Sequence, residues 1–106
     1  MENNNESVVN ESESLILGKV KLALRITGTD FDGEITDLIN ACLLDLGIAG
    51  VTNNDTTNAL LIRAIITYSR FHFGDANGVE EMDRLKKSYD EQKAQLQMAT
   101  GYTSWE

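Results

Sequence analysis

Ala64-Ile65-Ile66-Thr67-Tyr68-Ser69-Arg70-Phe71-His72-Phe73-Gly74 is apolar on nearly every side of a helix, and extended back to Asn58 it reads as the central helix of a small α-helical domain. A surface helix keeps an apolar stripe of roughly 100°. Here only Arg63, Thr67 and Arg70, at i, i+4 and i+7, make a polar line. That line is too thin for a freely solvated helix, and a short chain has few layers to cover it. The surplus apolar surface therefore points to burial against copies of the chain or against a partner.

The size of the chain limits what can surround that helix. Its 106 residues suit one domain and one modest core, with 42% of them hydrophobic. There is no proline, so the strongest helix breaker is missing and glycine becomes the punctuation. A lone cysteine, Cys42, rules out an intramolecular disulfide and any multi-cysteine zinc site, which suits a reducing compartment. No signal peptide is recognised and no apolar run approaches the ~18 to 20 residues of a membrane span, so a soluble, cytoplasmic protein is expected. Seventeen acids against nine bases give a formal charge of -8, the reverse of the basic patch that grips phosphates.

Outward from the central helix, the fold class expected is all-α, a small bundle of about four helices. Residues 1 to 13 are rich in Asn, Glu and Ser with only Val8 and Val9 clearly apolar among them after Met1. Such a composition buries too little surface to offset the entropy of ordering. They are expected to be a disordered acidic arm, either a docking peptide or a solvated tail, ahead of a helical domain over 14 to 100. Ser14 is the expected cap of a first helix carrying Leu17, Val20 and Leu24, broken by Thr27-Gly28-Thr29. Thr29 or Asp30 begins a second helix with acids in its first turns and an inward face of Phe31, Ile35, Leu38, Ile39, Cys42, Leu43 and Leu46, ended by Gly47. Thr56 or Thr57 caps the central helix, which stops at Gly74. A last helix over about 79 to 97 carries a narrow stripe of Met82, Leu85, Tyr89 and Leu96, with surface pairs Glu80 to Arg84 and Asp83 to Lys87. Residues 101 to 106 are a short tail containing Tyr102 and Trp105.

Few residues suggest chemistry. Asp30-Phe31-Asp32-Gly33-Glu34 looks like the start of a calcium loop, but glycine falls fourth rather than sixth and the twelfth position is Ala41. His72, the sole histidine, has no nominated acid, nucleophile or metal partner and reads as packed or in the last turn of its helix. Cys42 lies on an apolar stripe and reads as a small buried hydrophobe. No phosphate loop, serine elbow or zinc spacing is present. The glycosylation tripeptides in this Asn-rich chain are chance matches without a secretory signal. No catalytic residue, metal ligand or cofactor is expected.

Interface candidates stand out more clearly. Arg63 and Arg70 would face acids on a neighbouring subunit, or pair within the chain with acids of the second helix. Tyr102 and Trp105 are large aromatics in a tail, which either anchor an interface or fold back on the domain.

Read in order, the pieces resemble the head-tail connector (adaptor) family of tailed bacteriophages, also described as DNA-packaging or head-completion proteins. The matching pieces are Val20-Lys21-Leu22-Ala23-Leu24-Arg25-Ile26 before an acidic turn, Glu34-Ile35 and Asp37-Leu38-Ile39 leading to Leu44-Asp45-Leu46-Gly47-Ile48, Ala64-Ile65-Ile66-Thr67-Tyr68 with Phe73-Gly74, and Tyr89-Asp90 near Lys93 and Leu96. The resemblance covers about 15 to 102. It implies a structural virion protein at the neck, assembled in the host bacterial cytoplasm. Its self-association would be a ring of dodecameric type docked on the portal protein, with the portal as template where the isolated chain is monomeric. That ring would extend the DNA channel and offer a site to a tail or stopper protein, while DNA slides through without specific binding. No catalytic or ligand residue carries over, because the shared positions are packing positions. Other readings are a small helical DNA-binding regulator, against which the charge stands, and another neck or packaging protein such as a small terminase subunit.

Overall fold

The computed structural model describes residues 4 to 51, 58 to 73 and 78 to 98, the stretch from 4 to 13 by backbone alone. Its order is α1 (Asn4–Leu24), α2 (Asp32–Ile48), α3 (Ala59–Phe73) and α4 (Gly78–Met98), with no β-strand among the described residues. The all-α, four-helix expectation holds.

The helix ends differ from the expected ones for local reasons. α1 begins at Asn4, so Ser14 lies inside it rather than capping it, and residues 4 to 13, expected as a disordered arm, carry helical backbone. The composition of that stretch speaks to burial, whereas a helix already nucleated by a packed segment extends at one hydrogen bond per residue, and no glycine or proline interrupts 4 to 17. α1 also stops before Gly28. Arg25 adopts the left-handed region at φ 63°, Ile26 N–H donates to the Lys21 carbonyl at 2.9 Å and Arg25 N–H to that of Leu22 at 3.1 Å. This is the double bond pattern of a Schellman ending, here without glycine. α2 ends the same way, three residues past Gly47: Gly50 takes φ 98°, Val51 N–H donates to the Leu46 carbonyl at 2.8 Å and Gly50 N–H to that of Gly47 at 3.0 Å.

α2 starts at Asp32, later than Thr29 or Asp30, with Phe31 in the capping position and no side-chain cap. Lys21 of α1 meets Asp32 at 2.7 Å and ties the two helices at that end. α3 is capped by Asn58, whose Oδ1 accepts from Leu60 N–H at 2.9 Å and from Leu61 N–H at 3.3 Å. The expected caps Thr56 and Thr57, and the stop at Gly74, lie outside the described residues, as do Tyr102 and Trp105. α4 extends one residue beyond the expected span at each end. Its surface pairs are Arg84 with Glu81 and Lys86 with Asp90, rather than Glu80 with Arg84 and Asp83 with Lys87.

α3 is the hub, packing against α1, α2 and α4. Ile16, Val20 and Leu24 of α1, Ile35, Ile39, Cys42 and Leu46 of α2, Val51, Leu61, Ala64 and Ile65, and Tyr89 and Leu96 of α4 form one core. Of the face expected for α2, Leu38 and Leu43 are only partly buried and Phe31 is 47% exposed, its ring edge-on to Phe73 with centroids 5.5 Å apart. The surplus apolar surface of α3 is thus covered within the chain. The large apolar side chains left exposed among the described residues lie on α1 (Leu15, Leu22), at Phe31, on α2 (Leu44, Ile48) and on α4 (Val79, Met98). No helix among the described residues is long and apolar enough to cross a membrane.

Candidate functional site

Leu61, Ala64, Ile65 and Ser69 turn one face of α3 into the core, so residues half a turn away must face outward. Arg63 and Arg70 are there, and both are exposed. They line an open groove of about 440 Å³ between α3 and α4 together with Thr67 of α3 and Glu81, Arg84, Leu85, Ser88 and Gln92 of α4. A smaller depression continues it past Arg63 towards Leu60, Glu91 and Gln95. Arg84 pairs with Glu81. Neither Arg63 nor Arg70 forms an ion pair among the described residues, so the pairing with α2 acids left open by the sequence is not made there. The groove therefore brings three guanidinium groups together with Glu81, and Glu91 lines its continuation beside Arg63, in a chain whose formal charge is -8.

Across α4, a second polar region ties that helix to α2. The Tyr89 hydroxyl donates to Asp45 Oδ2 at 2.6 Å, and Lys93 Nζ donates to the same oxygen at 3.2 Å while lying 5.2 Å from the Tyr89 ring centroid. Cys42 Sγ sits 3.8 Å from the Tyr89 oxygen, and Gln97 Nε2 donates to the Ala49 carbonyl at 2.8 Å. Tyr89 also stacks edge-on with Tyr68 of α3, centroids 5.3 Å apart, so one phenol of α4 touches both α2 and α3. Electrostatics follow the contacts. The Tyr89 hydrogen bond and the Lys93 ammonium hold the Asp45 carboxyl below its usual range against the opposing effect of burial. Burial pushes the Cys42 thiol up to about 12, and burial with the bond to Asp45 raises the Tyr89 phenol far above the ordinary value. All three groups keep their neutral-pH states, and together they clamp α4 to α2.

His72 lies in the last turn of α3 and is exposed. Its ring rests against Tyr68 at 4.2 Å and Phe71 at 4.8 Å between centroids. Cys42 is buried, as its position on the apolar stripe predicts.

No curated protein and no solved structure matches the chain significantly. A protein family does, over residues 16–103, and its description is phage connector protein. Since the match takes in all four helices apart from the first part of α1, the chain belongs to the phage connector protein family, whose part is a structural one at the phage neck.

Proposed function

We propose that the chain is a non-enzymatic structural protein that assembles as a head-to-tail ring of dodecameric type on the portal protein, extends the DNA channel and completes the head for a tail or stopper protein. Assembly takes place in the host bacterial cytoplasm, with the portal as template if the isolated chain is monomeric. The observation that carries this reading is the family match across residues 16–103. The charge supports the conduit: an acidic wall repels the DNA backbone, so a threaded duplex slides without sticking. A heterologous contact closes into a ring when its rotation divides a full turn.

Light-scattering mass of the pure chain, alone and with portal particles from the same phage, tests the proposal. Spontaneous closed rings or stoichiometric capture by the portal is the expected result. Neither self-association nor portal capture at any practical concentration would sink it.

A further inference from the structure

We infer that the arginine groove between α3 and α4 is one half of a copy-to-copy contact, and that the exposed acidic face of α2 in the next copy is the other half. This rests on the self-association proposed above and names its surfaces.

Charge is sorted between α2 and α3. Residues 26 to 62 contain six acids, Asp30, Asp32, Glu34, Asp37, Asp45 and Asp55, and no lysine or arginine. α3 has Arg63 and Arg70 and no acid. Two of the six acids are engaged within the chain, Asp32 by Lys21 and Asp45 by Tyr89 and Lys93. Asp30, Glu34 and Asp37 are exposed and in no ion pair among the described residues. The helix dipole accounts for an acid in the first turn, such as Glu34, but its influence has faded by Asp37.

The two sets of charges cannot meet inside one molecule. α2 turns Ile35, Ile39, Cys42 and Leu46 inward, which leaves Glu34 and Asp37 on its outer side. α3 turns Leu61, Ala64, Ile65 and Ser69 inward, which leaves Arg63 and Arg70 on its outer side. Two packed helices with their buried faces together point their outer faces apart, so the acids and the arginines look away from each other. Opposite charges on opposite sides of one chain are satisfied by translation or rotation from copy to copy, a heterologous arrangement. Duplex DNA is the competing occupant, since guanidinium groups with Thr67, Ser88 and Gln92 also suit phosphates. The chain's charge and the Glu81 carboxylate on the groove wall favour a discrete set of protein acids over a continuous polyanion.

Complementary charge reversal tests this in the full-length chain, with portal particles present where the wild type needs them. Arg63→Glu with Arg70→Glu makes one variant, and Glu34→Lys with Asp37→Lys the other. Circular dichroism and a thermal melt confirm that each folds, and Arg63→Gln with Arg70→Gln serves as the milder variant. Each reversal is expected to weaken association on the order of tenfold or more at low salt, with a smaller loss at high salt. An equimolar mixture of the two reversed variants should associate again, because every contact in an alternating assembly is then complementary. Association unchanged in both variants, or a loss that mixing does not repair, overturns the assignment while leaving a connector ring intact through other surfaces. Wild-type chain that neither self-associates nor binds portal overturns the function and this contact together. Duplex DNA retained by the wild type and released by the arginine reversal, with association unmoved, makes the groove a phosphate site and overturns the assignment.

Discussion

The two polar regions flanking α4 are built on opposite plans. On the α2 side, Asp45, Tyr89 and Lys93 satisfy one another, and Gln97 closes onto the Ala49 carbonyl. On the outer α3 side, Glu81 is held by Arg84, while Arg63 and Arg70 stand in the open groove in no ion pair among the described residues. A saturated cluster holds helices together and offers little to a newcomer, because any partner must first break an internal bond. An unsaturated one contributes little to the fold and keeps its full interaction energy for an encounter. The contrast gives the first region to stability and leaves the second as the surface proposed for association.

The sharpest way to break that contrast is at Tyr89. Tyr89→Phe keeps the ring and its packing against Tyr68 but removes the hydrogen bond to a charged acceptor, a change typically costing ~1.5 to 3 kcal/mol. Asp45 is partly exposed, so the lower part of that range is expected, with a fall in Tm of roughly 10 °C. A calorimetric melt checks it. An unchanged Tm would mean that α2 and α4 are held by apolar contacts alone, and the division of labour would lose its first half.

The same cluster carries a pH signature. Cys42 is buried and its thiol is pushed up to about 12 from an ordinary 9.0. A raised folded value gives stability that is fully present below the unfolded value and lost as pH rises from about 9 towards 12. The loss approaches ~1.4 kcal/mol per pH unit within that window. Asp45 works on the acid side: its folded value is lowered, so its contribution is present above the usual carboxylate range and disappears as pH falls through the folded value. Denaturant melts between pH 8.5 and 10, the range being roughly that in which a free thiol titrates, should show the alkaline slope in the wild type and a shallower one in Cys42→Ala. Equal slopes would place the thiol in contact with solvent.

How much of this was legible in the sequence follows from the range of each interaction. The central helix, the core faces of α2 and α4 and the polar line of α3 depend on spacings of three, four and seven residues, which periodicity reveals. Helix ends were less legible. Gly28 and Gly47 were the obvious breakers, yet Arg25 takes the left-handed turn at one end, beside a partly buried Ile26, and Gly50 takes it at the other. The start of α1 was missed because the composition of 4 to 13 argues against burial and says little about whether a helix already begun at Ile16 stops. The clamp was out of reach, since its partners lie 44 and 48 residues apart. The arginines were found because one helix carries both. Their α4 wall, Glu81, Arg84, Ser88 and Gln92, was not, because that helix is polar on most of its surface and nothing local distinguishes the side that meets α3.

The smallest expected effect is the one that most sharpens the comparison. Arg63→Gln with Arg70→Gln removes two positive charges from exposed positions and leaves side chains of similar reach, without touching Leu61, Ala64, Ile65 or Ser69. Surface substitutions away from caps, cores and networks stay within about 0.5 kcal/mol. Arg84 retains Glu81, so no acid in the groove is stranded by the change. Removing like charges that share a groove also relieves mutual repulsion, which gives the small change a stabilising sign at low salt and none at high salt. Melts of this variant in low and high salt, beside Tyr89→Phe, measure the two halves of the contrast in the same units. A loss of more than about 1 kcal/mol in the arginine variant, beyond the surface range, would mean that the groove helps hold α3 to α4, and its charges could no longer be regarded as held in reserve for a partner.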